Sequence, residues 1–159
     1  MINLVYVSSA SKIMDEHELT TLLAQSRDRN LKQNVTGMLI YCDGNFFQVL
    51  EGEEKDVKEI YRSITSDSRN NGNIVLIESQ ISRRNFPEWS MGFKVLCKND
   101  LMEVAGFSEF LVRNMDFDEF AFYRDAVVEL LYSFKNSNTC LGSSNGSRSH
   151  ISCACSSSF

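Results

Sequence analysis

Long apolar runs are absent from this 159-residue sequence, which also has a single proline. No run approaches the roughly 18 apolar residues of a membrane-spanning helix. The first residues, MINLVYVSSASK, hold a short apolar run with no positively charged region before it, which makes a poor secretory signal. We therefore expect a cytoplasmic protein without a membrane partner.

Metal-ligand motifs and clustered positive charge are also scarce. The five cysteines include no C-x-x-C pair, and the two histidines are far apart in the sequence, so zinc and redox motifs are not indicated. Acidic residues outnumber basic ones by 21 to 16, and the densest basic stretches are only RDR and RR. Nucleic-acid binding needs clustered Lys and Arg, so we do not expect a nucleic-acid partner.

The sequence does contain enough hydrophobic residues, 43%, to fill the core of one domain. Apolar periodicity predicts strands and helices in the order β-α-β-β-α-β-β. A capping box at Asp15 and Glu18 begins the first helix, and Asp43-Gly44 predicts a tight hairpin. The predicted elements are strands at 2–8, 35–41, 45–51, 73–81 and 88–96, a helix at 15–29, and a second helix with Val57, Ile60, Tyr61 and Ile64 on one stripe.

This order predicts a ferredoxin-like α+β fold, in which a mixed five-stranded sheet has both helices on one face. Two further helices are predicted at 101–114 and 117–135. The second is apolar around more than one stripe, so it should be buried against the free face of the sheet or another subunit. The Ser-rich remainder predicts a disordered tail. We therefore divide the chain into a domain at 1–96, a helical extension at 97–135 and a tail at 136–159.

The stretch NFFQVLEG, residues 45–52, places a primary amide in the middle of an apolar strand. Period-two alternation puts Gln48 on the same face as Phe46 and Leu50. A buried amide without a hydrogen-bond partner costs about 1–3 kcal/mol. Gln48 is therefore a candidate functional residue.

Other polar or aromatic side chains are predicted to point towards the layer between the sheet and the helices. Tyr6 lies on the first strand, Asn30 at the end of the first helix and Asp67 on the apolar stripe of the second helix, while Trp89 and Met91 share a face of the fifth strand. A planar ligand with alternating donors and acceptors, inserted between the helices, would satisfy the polar groups. Ordinary explanations also exist, namely core packing for the aromatic residues and Met91, a helix end for Asn30 and solvation for Asp67.

Five segments together resemble the BLUF family of flavin-based blue-light sensors: LVYVS, NVTGMLIY, FFQVLEGE, SDSRN and RNFPEWSMGF. The resemblance covers residues 1–96 in the family's order and spacing. It implies the sheet already predicted, with an isoalloxazine ring held between the two helices. Tyr6 matches the tyrosine that donates an electron to the excited flavin. Gln48 matches the glutamine whose hydrogen bonds to flavin N5 and O4 are rearranged by light.

The same resemblance implies which residues bind the flavin. Asn30 matches the asparagine on the flavin carbonyl edge, and Asp67 the carboxylate that accepts from ring N3–H. The remaining matches flank the ring, with Arg69 and Asn70 at the pyrimidine edge and ribityl chain and Leu22 and Ile64 as apolar walls. Trp89 and Met91 match the fifth-strand pair that shifts as the signal passes outwards. The implied cofactor is non-covalent FAD, with FMN or riboflavin as the alternatives.

Two positions depart from the family's pattern. Asn70 stands where the family usually has a histidine. Many relatives place an arginine four residues before the aspartate, whereas this chain has Ser63 there, with Arg62 beside it. The guanidinium expected at the C2 carbonyl of the ring is therefore missing from that position.

The sequence thus predicts a non-enzymatic blue-light photoreceptor that forms homo-oligomers and acts on a separate effector protein. Its C-terminal helices resemble those of short, stand-alone family members. One alternative is a flavoenzyme that uses the same slot for redox chemistry, against which the sequence shows no nicotinamide fingerprint and no evident acid–base pair. The other is a flavin-free ferredoxin-like oligomerisation module, in which Asn30, Gln48 and Asp67 are incidental.

Overall fold

The computed structural model describes residues 1–96, and the predicted order of elements is confirmed there. The elements are β1 (Ile2–Ala10), α1 (Glu16–Lys32), β2 (Thr36–Cys42), β3 (Asn45–Gly52), α2 (Glu54–Thr65), β4 (Asn70–Gln80) and β5 (Gly92–Leu96). The helices predicted at 101–114 and 117–135 and the tail at 136–159 lie outside the described residues. Within residues 1–96, neither helix has the length and apolarity needed to cross a bilayer.

The local sequence signals form as predicted at both the first helix and the hairpin. The Asp15 carboxylate accepts a hydrogen bond from the backbone N–H of Glu18, and the Glu18 carboxylate accepts from that of Asp15. Asp43 and Gly44 have φ values of 44° and 85°, the pair of positive values that a two-residue turn between twisted strands requires. The first helix continues past its predicted end at residue 29 to Lys32.

The sheet is mixed, with the strand order β4-β1-β3-β2-β5. All neighbours are antiparallel except β2 and β5. Each helix connects two strands that have another strand between them, α1 across β3 and α2 across β1. The two crossovers start from antiparallel strands and run in opposite directions. Right-handed connections therefore put both helices on the same face of the sheet.

The core lies between the sheet and the helices. Its buried side chains come from the strands (Leu4, Tyr6, Leu39, Phe46 and Leu50) and from the helices (Leu19, Leu23, Val57 and Ile60). Alternate residues on the opposite face of the sheet are also apolar and buried: Val5, Val7, Met38, Ile40, Phe47 and Val49. The predicted stripe of the second helix is confirmed, since its residues Val57 and Ile60 are almost fully buried.

Asp67 does not lie on the stripe of the second helix, as the sequence predicted, because α2 ends at Thr65. Its carboxylate accepts a hydrogen bond from the backbone N–H of Arg69 at 2.9 Å. Its carbonyl accepts from the backbone N–H of Asn70 at 3.0 Å. An aspartate that binds its own downstream backbone favours a turn over a helix. Asp67 therefore lies in the turn between α2 and β4.

Trp89 and Met91 precede the fifth strand and do not share one of its faces, since β5 begins at Gly92. Pro87 is the second residue of a turn in which the backbone N–H of Trp89 donates to the Phe86 carbonyl at 3.3 Å. Proline cannot donate to a strand ladder, so this segment becomes a strand only beyond the turn.

Candidate functional site

A cleft opens between α1 and α2, over β1 and β3, and holds about 430 Å³ of space when the open solvent at its mouth is included. Its walls combine apolar side chains with a few polar and charged groups, as small-molecule sites do. The lining residues are Tyr6, Ser8, Leu22, Ser26, Arg29, Leu39, Phe46, Gln48, Ile64, Asp67, Arg69 and Asn70.

On the sheet side of the cleft, Gln48 is buried, and both ends of its amide have partners. Tyr6 and Gln48 lie directly opposite each other on β1 and β3, and the Tyr6 hydroxyl donates a hydrogen bond to Gln48 Oε1. Gln48 Nε2 donates to Met91 Sδ, 3.4 Å away. Because an amide carries acceptors at one end and donors at the other, a rotation of the Gln48 amide would exchange what it presents to each neighbour.

Tyr6 is held as a neutral phenol. Burial raises the pKa of Tyr6 well above its ordinary value, and the neighbouring Tyr61 raises it further. The two rings meet edge to face, with their centroids 5.1 Å apart. The positive charge of Arg29 lowers the Tyr6 pKa, but more weakly. Tyr6 therefore keeps its proton and remains a hydrogen-bond donor to Gln48.

In the turn after α2, Asp67 is paired with Arg69. Arg69 Nη2 lies 2.6 Å from Asp67 Oδ2, and Arg69 Nε lies 3.0 Å from Oδ1. These hydrogen bonds hold the pKa of Asp67 below its ordinary value, so the side chain is a carboxylate at neutral pH. Arg69 Nη1 also donates to Gln25 Oε1 at 3.1 Å, which connects this turn to the first helix.

Unpaired polar atoms are concentrated in the cleft. Among residues 1–96, four buried side-chain polar atoms have no hydrogen-bond partner, and three of them belong to cleft residues: Ser8 Oγ, Arg29 Nε and Asn70 Oδ1. The Asn70 amide nitrogen, by contrast, donates to the Ile64 carbonyl at 3.1 Å. Buried polar groups are seldom left unpaired in native proteins, so these atoms are available to ordered water or to a polar ligand.

This combination fits the ring system of a flavin. Ser8 Oγ can donate or accept, Arg29 Nε donates and Asn70 Oδ1 accepts, which suits a pyrimidine edge that alternates carbonyl and N–H groups. Leu22 and Ile64, which are partly buried against the core, provide apolar surface for the faces of a planar ring.

Seven of the ten residues predicted for the site line the cleft: Tyr6, Leu22, Gln48, Ile64, Asp67, Arg69 and Asn70. Asn30, Trp89 and Met91 are not among the lining residues. Asn30 is buried in the last turn of α1, where its Nδ2 donates to the Ser90 carbonyl at 2.8 Å. Trp89 is half-buried against the Phe86 ring, with centroids 5.8 Å apart. Met91 is buried, and its Sδ accepts the hydrogen bond from Gln48 Nε2.

The cleft has five lining residues that the sequence did not identify: Ser8, Ser26, Arg29, Leu39 and Phe46. Periodicity contained a signal for four of them, since Ser26 follows Leu22 by four residues on α1 and Phe46 precedes Gln48 by two on β3. Ser8 follows Tyr6 by two residues on β1, and Arg29 follows Leu22 by seven on α1, so each shares a face with a predicted site residue. A cation in the last turn of a helix is a common stabilising feature, so position alone does not mark Arg29 as functional.

Comparison with known proteins assigns the family. The sequence model of the family described as sensors of blue-light using FAD matches residues 1–92. The chain belongs to the BLUF family. BLUF domains are flavin-binding sensor modules for blue light, and the Tyr6–Gln48 hydrogen bond lies within the matched region.

Individual relatives are similar to this chain over 55% to 80% of its length. The beta subunit of a photoactivated adenylate cyclase from Euglena longa is 30% identical over 89 residues, which are 55% of this chain and 10% of the cyclase subunit. The dark-state structure of the BLUF protein BlrB has a TM-score of 0.60 at 26% identity and covers 80% of this chain and 96% of BlrB. Klebsiella pneumoniae BlrP1 with FMN and cyclic diGMP has a TM-score of 0.56 at 25% identity. This match covers 78% of this chain and 34% of the BlrP1 chain.

Proposed function

We propose that this chain is a blue-light photoreceptor that holds FAD non-covalently between α1 and α2 and signals through the Tyr6–Gln48 pair. The observation that carries this proposal is the hydrogen bond from the buried Tyr6 hydroxyl to Gln48 Oε1 inside the cleft. The flavin, when bound, supplies the absorption of blue light and accepts an electron from the protein.

In this proposal Tyr6 is the electron donor. A phenol that has lost an electron is strongly acidic, so its proton leaves along the existing hydrogen bond to Gln48 Oε1. The Gln48 amide then rotates or tautomerises and presents a donor where it had presented an acceptor. The changed hydrogen bonding shifts the absorption to the red. The electron and the proton then return to Tyr6, so the red shift arises from the rearranged Gln48 amide alone and disappears as that amide returns to its dark arrangement.

The flavin would be held mainly by the loop after α2 and by the two helices. Asp67, kept ionised by Arg69, is suited to accept from the ring N–H, and Asn70 offers its unpaired Oδ1. An asparagine amide has two N–H groups, and Asn30 donates one of them to the Ser90 carbonyl. The other can donate to the carbonyl edge of the flavin. FAD is our preferred cofactor, and FMN and riboflavin, which share the ring, are the alternatives.

Met91 connects the photochemical pair to the segment before β5. Its Sδ accepts from Gln48 Nε2, while its carbonyl accepts from Arg27 Nε of α1 at 3.0 Å. A rotated amide would turn its oxygen towards Sδ, and this hydrogen bond would be lost. We propose that the segment bearing Trp89 and Met91 then shifts and passes the signal outwards through β5.

BLUF domains act together with effectors, as the name of the Euglena cyclase subunit illustrates. For this chain we propose a homo-oligomer in the cytoplasm that acts on a separate effector protein. Residues 1–96 would be the photosensor and residues 97–135 the extension that relays its state. The sensor itself would have no enzymatic activity.

Two substitutions test the photochemical pair. We expect Tyr6→Phe and Gln48→Leu to bind flavin but to lose the reversible red shift, because the first removes the phenolic proton and the second the amide. The measurement is the absorption spectrum in the dark, after blue light and after recovery. Tyr61→Phe is the matched control, since it keeps the ring contact with Tyr6 and should retain the full shift.

A full reversible shift in either Tyr6→Phe or Gln48→Leu would contradict the proposed pair. A wild-type protein whose flavin only bleaches in light would favour a flavoenzyme. A wild-type protein that stays colourless after flavin reconstitution would favour the flavin-free oligomerisation module.

A further inference from the structure

Arg29, in the last turn of α1, brings a guanidinium to the cleft. It follows Leu22 and Ser26 at helical spacing, and both of these residues also line the cleft. Arg29 Nη1 donates to Ser63 Oγ of α2 at 2.7 Å. The side chain therefore crosses from the first helix to the second on the side where the cleft lies.

The Nε–H of Arg29 is buried, and no group among residues 1–96 accepts a hydrogen bond from it. Burying a charged donor without a partner is more costly than burying a neutral one, so such donors are seldom left unpaired. The other two unpaired atoms in the cleft belong to Ser8 and Asn70, so an acceptor on a shared ligand would satisfy Arg29 as well.

The residue at position 63 indicates which ligand group the unpaired Arg29 Nε–H would bind. Ser63 stands where the resemblance to the BLUF family implies an arginine on the second helix. We propose that Arg29 replaces that arginine, so that its guanidinium, supplied by α1, donates to a carbonyl oxygen on the pyrimidine edge of the bound flavin. This inference rests on the proposed flavin binding and adds a binding residue to the same site.

The effect of the Arg29 charge on its neighbours is consistent with a guanidinium at the pyrimidine edge of the flavin. The positive charge of Arg29 partly offsets the rise in the pKa of Tyr6 and adds to the lowering of the pKa of Asp67, so it acts on both groups. The Arg29 guanidinium offers a hydrogen-bond donor to the cleft, and the Asp67 carboxylate offers an acceptor. That pair complements a ring carbonyl adjacent to a ring N–H, and hydrogen bonds to charged groups are the stronger ones.

A structural role is the competing explanation, because Arg29 also ties α1 to α2 through Ser63. Ser63→Ala distinguishes the structural role of Arg29 from its role in flavin binding, because it removes the hydrogen bond between the helices and keeps the guanidinium. Arg29→Ala removes both. The double variant Arg29→Ala/Ser63→Arg returns a guanidinium to the cleft from the second helix. Arg29→Gln, which keeps a long side chain without the charge, serves if Arg29→Ala does not fold.

The first measurement is the Kd of FAD for the flavin-depleted full chain of each variant, by quenching of flavin fluorescence. We expect Arg29→Ala to weaken binding about ten- to hundredfold, as for one charged hydrogen bond. Ser63→Ala should leave the Kd nearly unchanged, and Arg29→Ala/Ser63→Arg should restore most of the affinity. The second measurement is the infrared stretch of the flavin carbonyls, which should move to higher wavenumber in Arg29→Ala and stay in place in Ser63→Ala.

An unchanged Kd and carbonyl stretch in Arg29→Ala would overturn the assignment, and so would a Ser63→Ala variant that weakens binding as much as Arg29→Ala. In both cases wild-type protein would still bind flavin and show its light response. A wild-type chain that binds no flavin would instead overturn the proposed function, and the assignment of Arg29 with it.

Discussion

Gln48 lies between Tyr6 and Met91, and each end of its amide has a partner. Strand alternation predicted that Gln48 and Tyr6 face the layer under the helices, and the amide in an apolar strand marked Gln48 as a candidate, but it was the resemblance to the BLUF family that implied the two act as a pair. The sequence did not predict that Met91 is the second partner. Met91 lies 43 residues further along the chain, and its position depends on the turn at Pro87.

The contact between Arg29 and Ser63 could not be predicted from the sequence either. The sequence indicated that the second helix lacks an arginine at Ser63. That a guanidinium reaches this place from the first helix depends on how α1 and α2 pack side by side, and a linear pattern does not contain this information.

The raised pKa of Tyr6 predicts a loss of stability in alkali that is specific to this residue. The folded protein keeps the Tyr6 proton above pH 10, whereas the unfolded chain releases it at an ordinary pKa of about 10. The unfolded state then binds fewer protons, so the free energy of unfolding falls as the pH rises. Between about pH 9 and pH 11 Tyr6 should contribute about 1.4 kcal/mol to this fall.

Urea unfolding of wild type and Tyr6→Phe at these two pH values measures the contribution. The free energy of unfolding of Tyr6→Phe should fall by about 1.4 kcal/mol less than that of wild type, because the remaining tyrosines titrate in both proteins. Equal falls would mean that Tyr6 titrates normally in the folded protein.

At the scale of elements, β3 contributes both to the cleft and to the anchoring of the segment before β5. Gln48 points to the helices, while Glu51, three residues later, points to the opposite face. The buried Glu51 carboxylate accepts hydrogen bonds from the backbone N–H groups of Asn85 at 2.7 Å and Phe86 at 2.9 Å. One strand therefore fixes the amide and also anchors the turn that precedes Met91.

The first helix holds the same segment from the other side. Arg27 and Asn30 donate to the carbonyls of Met91 and Ser90 at 3.0 and 2.8 Å. Apolar periodicity predicted that these elements exist, because stripes are local. It placed Asp67 on a helix and Met91 on a strand, because periodicity does not register the side-chain and proline turns that end a helix or delay a strand.

Met91→Ala tests the relay through this segment. The variant should keep the light-induced red shift, because the Tyr6–Gln48 hydrogen bond remains. It should lose the coupling of that shift to assembly state, because the contact between Gln48 and the segment before β5 is gone. The measurement is light scattering during size-exclusion chromatography, in the dark and under blue light.

Met91→Leu is the matched control, since it keeps most of the side-chain volume without the sulfur acceptor. If packing carries the signal, Met91→Leu retains light-dependent assembly, and if the hydrogen bond carries it, Met91→Leu behaves as Met91→Ala. Unchanged light-dependent assembly in Met91→Ala would show that the signal leaves the site by another route.

At the scale of the whole described molecule, the crossover topology creates the site. Both helices lie on one face above β1 and β3, so the cleft between them is bounded by the two strands that carry Tyr6 and Gln48. The order of elements was sufficient to predict this arrangement, because the handedness rule leaves few alternatives. The unpaired atoms in the cleft required the packed structure, since only packing determines which polar groups have partners.

The light-minus-dark absorption spectrum of the purified wild-type protein tests photoreception most directly. We predict a bound-flavin spectrum that moves slightly to the red after blue light and returns in darkness without added reductant. A flavin spectrum that bleaches and recovers only with an oxidant, or a protein that binds no flavin after reconstitution, would contradict it.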